Sequence, residues 1–143
     1  MSVLDSQIIA LGRTCREVAL QPILAKVRQL GPEHALSHHR AMAEALETLG
    51  DPAAAKPLAE LLQKPGMTGH AFTDVQTAMH DIPTSPTDNT TRECSLRELM
   101  LARALYRCGD YQGLGRKILE QYAQALRGHY ARHSLAILSE KGR

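Results

Sequence analysis

Two stretches of this chain bring an apolar helical stripe to an end on the same Gly-Asp turn: Ala45-Leu46-Glu47-Thr48-Leu49-Gly50-Asp51-Pro52 and Ala104-Leu105-Tyr106-Arg107-Cys108-Gly109-Asp110-Tyr111. In each, the glycine can take the left-handed backbone that terminates a helix, and the aspartate after it can accept free N–H groups of the next one. Gly50, Asp51, Gly109 and Asp110 therefore read as structural turn residues. A helix–turn–helix unit that recurs predicts a stacked array of helical pairs, which bury a continuous core only by packing against their neighbours. Surfaces of that kind mostly bind, so the turns say much about fold and little about chemistry.

A chain of 143 residues is expected to form one domain spanning 1–143, large enough to bury a core without disulfides. With no Trp, one Phe and four Tyr, against abundant Ala and Leu, the composition suits an all-α fold better than a sheet. Cys15, Cys94 and Cys108 are an odd number without Cys-x-x-Cys spacing, which predicts reduced thiols and, with no secretory or membrane-spanning pattern, a cytoplasmic protein. Charge is unevenly spread. Residues 1–91 carry seven Lys/Arg against ten Asp/Glu, and residues 92–143 carry ten against five, so the two parts are net −3 and +5. The basic C-terminal third could face an acidic partner or nucleic acid, although no aromatic residues interleave with it as a stacking platform would need.

Apolar spacing predicts a helix from Ser6 to about Gly12, capped by Asp5 or Ser6, and a second holding Val18, Ile23, Leu24, Val27 and Leu30, stopped by Gly31-Pro32. Ser37 is the expected cap of a third helix, on which Met42, Ala45, Leu46 and Leu49 share a stripe and Glu47 falls off it. A fourth starts at Pro52 and carries Leu58, Leu61 and Leu62. Pro22 and Pro57 occupy matching places at an offset of 35 residues, near the repeat length of helical-pair proteins. His70 to Asp81 is expected to form a weak helix around Phe72, Val75 and Met79, followed by a Pro/Thr-rich bridging loop over about 82–94. Ser95-Leu96-Arg97-Glu98 has the form of a capping box and predicts a helix start there. In that helix Leu101, Ala104, Leu105 and Cys108 match the third helix's stripe at an offset of 59, and Leu96, Leu99 and Met100 widen the apolar face. A further helix with Leu114, Ile118, Leu119, Tyr122 and Leu126 should close at Gly128, and a last one should run from His129 to Glu140 before a fraying Lys141-Gly142-Arg143 tail.

Little in these residues points to catalysis. His129 and His133 stand at i and i+4, a spacing that can hold a metal if a third ligand converges, but none is identifiable, and packing is the plainer role. His38 and His39 lie at the core edge of the third helix, as interior histidines or partner contacts. Glycine loops for phosphate are absent, and Cys108 falls on an apolar stripe, as a small core residue would.

The run Leu49 to Leu62 resembles the HEAT-like repeat, in which a helix ends on Leu-Gly-Asp and a proline-initiated helix returns. Nearly the whole chain also resembles the helical C-terminal region of a group of large bacterial FAD-dependent oxidoreductases. The points of likeness are Ser37-His38-His39-Arg40-Ala41, Pro65-Gly66-Met67-Thr68-Gly69-His70, Ser85-Pro86-Thr87-Asp88, Leu96 through Asp110, and Leu126 through His133. The dinucleotide-binding domain that carries flavin in those proteins has no counterpart here, so the resemblance carries over no flavin-binding residue; it implies either an excised or freestanding accessory domain, or nothing about this chain's own activity. Gly12-Arg13-Thr14 also departs from the repeat's Gly-Asp-Pro, as either an atypical terminal unit or a cut made inside a longer solenoid would.

The expected architecture is thus a right-handed α-solenoid of about three HEAT-like hairpins, acting as a non-catalytic scaffold or protein-interaction module without cofactor or metal. Its first candidate partner is a flavoprotein domain. Arg97, Arg103, Arg107, His38 and His39 are the candidate contacts. Two alternatives stay open: a nucleic-acid-binding protein using the basic third, and a small metal-dependent enzyme around His38, His39, His129 and His133.

Overall fold

In the computed structural model, which describes residues 1–82 and 85–140, the chain begins with a closed capping box. The Ser2 hydroxyl accepts the Asp5 N–H at 3.1 Å and the Asp5 carboxylate accepts the Ser2 N–H at 2.9 Å, so α1 runs Val3–Arg13 and starts before the expected Ser6. A 3-10 turn over Glu17–Ala19 leads into α2, Leu20–Gln29, which admits Pro22 because its first turn has no N–H partner to lose. Ile23, Leu24 and Val27 are buried, whereas Val18 faces solvent. The Lys64 ammonium reaches back to the carbonyls of Arg28 in the last turn of α2 and of Leu30 just after it, satisfying acceptors that helix geometry leaves open.

α3 spans Leu36–Leu49 and has Ala35, not Ser37, at its N-cap, with extended backbone and no side-chain cap. Its stripe of Met42, Ala45 and Leu46 is buried and it ends on Gly50 at φ 61, as the sequence implies. The Asp51 carboxylate accepts the Ala53 N–H at 2.8 Å and opens the 3-10 turn Pro52–Ala54, which passes into α4, Ala55–Leu62. The second Gly-Asp turn is built differently. Both Gly109 (φ 99) and Asp110 (φ 63) are left-handed, and the Asp110 carboxylate accepts the N–H groups of Gly115 at 2.8 Å and Arg116 at 3.0 Å. One aspartate thereby caps the start of α7, Leu114–Ala123.

Between these units, residues 63–74 form a strap anchored by the fully buried Met67. The short α5, Val75–His80, covers only part of the expected His70–Asp81 helix: Phe72 precedes it, and Val75 and Met79 are exposed, none of its residues being buried. α6 runs Thr90–Arg107, five residues ahead of Ser95. The predicted loop over 82–94 therefore ends at Asn89; its Pro83 and Thr84 lie outside the described residues, as does the Lys141-Gly142-Arg143 tail. Gly128 opens α8, Gly128–Leu138, instead of closing α7, and Leu126 is exposed.

Among the described residues the fold is all-α, with eight α-helices and no strand, and no helix is long and apolar enough to cross a membrane. α1 packs on α3, α3 on α6, α6 on α7 and α7 on α8, while α2 lies against α3 and α4, and α4 against α6. Two glycines set the closest crossings. A Cβ at Gly12 would lie 2.6 Å from the Ala45 Cα, and one at Gly115 would lie 3.0 Å from the Tyr106 nitrogen and 3.1 Å from the Ala102 carbonyl, so α1 meets α3, and α7 meets α6, nearly backbone to backbone. The long α6 is left in the middle, touching α3, α4 and α7.

Candidate functional site

α6 carries a different kind of residue on each of its faces. Leu101, Ala102, Ala104 and Leu105 are buried against α3, α4 and α7. Ser95 and Glu98 are fully buried within the helix, so they do not cap its start. The Glu98 carboxylate instead accepts the Gly69 N–H at 3.1 Å, the His70 N–H at 2.9 Å and the Tyr122 hydroxyl at 2.8 Å. Ser95 donates to the His70 carbonyl at 2.9 Å. The pair that reads as a local cap is a long-range clasp holding the 63–74 strap and α7 to α6. Burial, followed by the charge of Glu98, pushes the Tyr122 phenol well above its ordinary range, which keeps it a proton donor to that carboxylate.

The expected partner arginines are engaged inside the fold. Arg97 is 7% exposed and donates to the Pro32 carbonyl at 2.9 Å and the Gly66 carbonyl at 3.1 Å, tying two loops to α6, so it offers no head group to a partner. Arg103 and Arg107 share Glu47: Arg103 Nε donates to one carboxylate oxygen at 2.6 Å and Arg107 Nη1 to the other at 3.1 Å. Arg107 also grips Glu140 through two hydrogen bonds of 2.6 and 3.2 Å, and the hydrogen bond to Glu140 is the main cause that raises the guanidinium above its ordinary value. These pairs join α3, α6 and the end of α8. Glu47, off the apolar stripe, is thus a hub and not a solvated residue, its side chain only 11% exposed.

The histidines do not converge. His38 Nδ1 meets the buried Asp5 carboxylate at 2.6 Å on the α1 side of α3. His39 is buried, with Nδ1 3.0 Å from the Ala35 carbonyl of its own helix, and burial lowers it from the ordinary imidazole range, so it is not an exposed partner contact. His129 and His133 lie on α8; the His129 ring rests 4.1 Å from the Tyr130 ring, and His133 Nε2 accepts from Arg103 Nη1 at 3.2 Å. Burial, then the charges of Arg103 and Arg107, lower His133. Among the described residues no three His, Cys, Asp or Glu side chains are grouped to hold a metal. Cys108 is a core residue whose thiol, desolvated and facing Glu47 and Asp51, is pushed up to about 12.

What the fold does bring together is a groove of about 420 Å³ between α3, α6 and α8. Arg92, Leu96, Leu99, Met100 and Arg103 line it from α6 at i, i+4, i+7, i+8 and i+11, a single helical face. Leu36 and Arg40 enter one turn apart from the start of α3, and His129, Tyr130 and His133 come from α8. Its floor is apolar and its rim carries arginine and histidine, with no carboxylate among the lining side chains. Arg103 is the one expected contact that reaches it. The wide apolar face of α6 signalled the floor in advance; nothing in the sequence pattern paired Arg40 with Arg92, because the two border one floor only once α3 lies beside α6.

No family model matches the chain, and no curated protein and no solved structure matches it.

Proposed function

We propose that this chain is a non-catalytic helical-repeat module that binds a protein partner, built as an α-solenoid of about three HEAT-like hairpins. Taken in chain order the helical pairs would be α1–α2, α3–α4 and α6–α7, of which α6 and α7 pack directly on one another, with α8 after the last. Two kinds of contact support the repeat reading: first helices meet first helices, α1 on α3 and α3 on α6, and the second helices α2 and α4 meet each other. The Gly50-Asp51 and Gly109-Asp110 turns fall at equivalent places in the last two of these hairpins.

The observation that carries the binding role is the groove on the face shared by α3, α6 and α8. It is apolar enough to bury side chains and is ringed by basic groups, while the acidic residues Glu47 and Glu98 are engaged in holding helices together. Volumes of this order are common in sites that take up side chains or small ligands. Partner choice follows the resemblance: a flavoprotein domain, supplied in the same reading frame or beside it, is the first candidate, in a cytoplasmic setting.

Co-expression of the tagged chain with the product of the adjoining reading frame tests this. A stoichiometric complex that survives gel filtration and carries a flavin spectrum contributed by the partner supports the reading. A chain that elutes alone in that experiment, and instead retains single-stranded DNA with an affinity falling steeply in salt, replaces it with a nucleic-acid role.

A further inference from the structure

The arginines around the groove are not equivalent. Arg103 is neutralised by Glu47, whereas Arg40 and Arg92 are exposed and their guanidinium groups have no ion pair or hydrogen bond among the described residues. Both stand over a floor of Leu96, Leu99, Met100 and Tyr130, where Leu99 and Tyr130 are buried and Leu96 and Met100 half-buried. An apolar floor beside cations without counter-charges is complementary to one chemistry, a ligand with apolar side chains flanked by carboxylates. Guanidinium groups pair with carboxylates through two parallel hydrogen bonds, and such a pair at the edge of an apolar contact is less screened than one in open water.

Resting on the interaction-module reading above, we propose that the α3–α6–α8 groove docks an acidic peptide segment of the partner. One or two of its Leu, Ile or Phe side chains seat on the floor, and neighbouring Asp or Glu residues pair with Arg40 and Arg92. This is the groove mode of peptide recognition, in which apolar anchors supply affinity and rim charges supply register. A nucleic acid fits less well, because the one tyrosine ring lining the groove, Tyr130, is 4% exposed with Arg127 over its face and His129 against it, which leaves the smaller imidazoles of His129 and His133 as the stacking surfaces.

The test is a random-peptide phage selection on the folded chain, followed by fluorescence anisotropy with a labelled synthetic copy of the most enriched sequence. Enriched sequences should combine Asp or Glu with Leu, Ile or Phe. Affinity should fall by roughly tenfold or more in the Arg40→Glu/Arg92→Glu variant. The control Arg16→Glu/Arg28→Glu changes net charge equally at exposed arginines outside the groove and should bind as the parent does. All four positions are exposed, and an unchanged helical circular dichroism spectrum confirms that the variants fold. Enrichment of sequences without acidic residues, or equal affinity of parent and Arg40→Glu/Arg92→Glu, overturns the groove assignment and leaves the interaction-module reading standing on its own co-expression test. Equal loss in both double variants also overturns it, since that reports overall charge. Single-stranded DNA that binds the parent and is lost only in Arg40→Glu/Arg92→Glu assigns the groove to nucleic acid instead.

Discussion

Asp5 of α1 and His38 of α3 lie 2.6 Å apart across the first helix crossing, the carboxylate fully buried and the imidazole about a third exposed. Burial alone would raise the Asp5 carboxyl, but the His38 hydrogen bond, with those from the Ser2 backbone and hydroxyl, outweighs it and lowers the group from 3.8 to about 2. The folded state therefore binds this proton less readily than the unfolded chain. Its stabilisation is complete above the unfolded value of 3.8 and is lost as pH falls through about 2. Asp5→Asn should lower the thermal midpoint at neutral pH and flatten the acid limb of midpoint against pH. Parallel curves for parent and variant from neutral to strongly acid pH would show that Asp5 is not linked to folding.

The Gly12 contact makes a prediction that runs against helix propensity. Alanine in place of glycine inside an exposed helix stabilises by about 0.5 to 1 kcal/mol. At Gly12 the added methyl would sit 2.6 Å from the Ala45 Cα, a backbone atom that cannot swing aside, so Gly12→Ala should destabilise by about 1 to 3 kcal/mol through displacement of α1 from α3. Gly128→Ala is the control. Its methyl meets only the flexible end of Arg132, at 3.3 Å, and the change should stay within about 0.5 kcal/mol in urea unfolding.

Glu47 separates helical periodicity from structural role. Leu46→Ala, at a fully buried position, should cost about 2 to 5 kcal/mol. From periodicity, the neighbouring Glu47→Ala should be nearly silent. Because Glu47 accepts from both Arg103 and Arg107, which are 23% and 21% exposed, its removal leaves two half-buried guanidinium groups short of a partner, at a cost of about 1 to 3 kcal/mol. Urea unfolding of both variants decides the matter, and a silent Glu47→Ala would reduce the hub to a surface ion pair.

This contrast shows what was legible in the residues. The stripe Met42, Ala45, Leu46 and the turn at Gly50 were readable because both depend on spacing within one helix. Ser95 and Glu98 were not. Their three-residue separation has the form of a capping box, while their actual partners, Gly69, His70 and Tyr122, lie 24 to 29 residues away. The true helix start lies earlier and is hidden in the sequence because Thr90-Thr91-Arg92-Glu93 adds a first turn without an apolar stripe. The burial of Arg97, a candidate partner contact by sequence, has the same origin: its carbonyl partners, Pro32 and Gly66, are 65 and 31 residues distant. The groove shares that origin, since Arg40 and Arg92 sit 52 positions apart in the chain and become neighbours of one floor only through the packing of α3 on α6.

Glu98 offers the most local test of that clasp. Its two oxygens accept the amides of Gly69 and His70, and Tyr122 donates a third hydrogen bond to it from α7. Glu98→Gln keeps the shape but replaces one acceptor oxygen with an NH₂ group that faces an N–H donor, leaving a buried donor unpaired. It should destabilise by about 1 to 3 kcal/mol, and amide hydrogen exchange at Gly69 and His70 should accelerate more than exchange in the core of α3. Tyr122→Phe removes only the third bond and should cost about 0.5 to 1.5 kcal/mol while leaving the Gly69 and His70 amides the more protected of the two variants. If Glu98→Gln loosens every helix uniformly, Glu98 contributes to global stability alone; selective exchange over residues 63–74 identifies it as the residue that fastens the strap to α6.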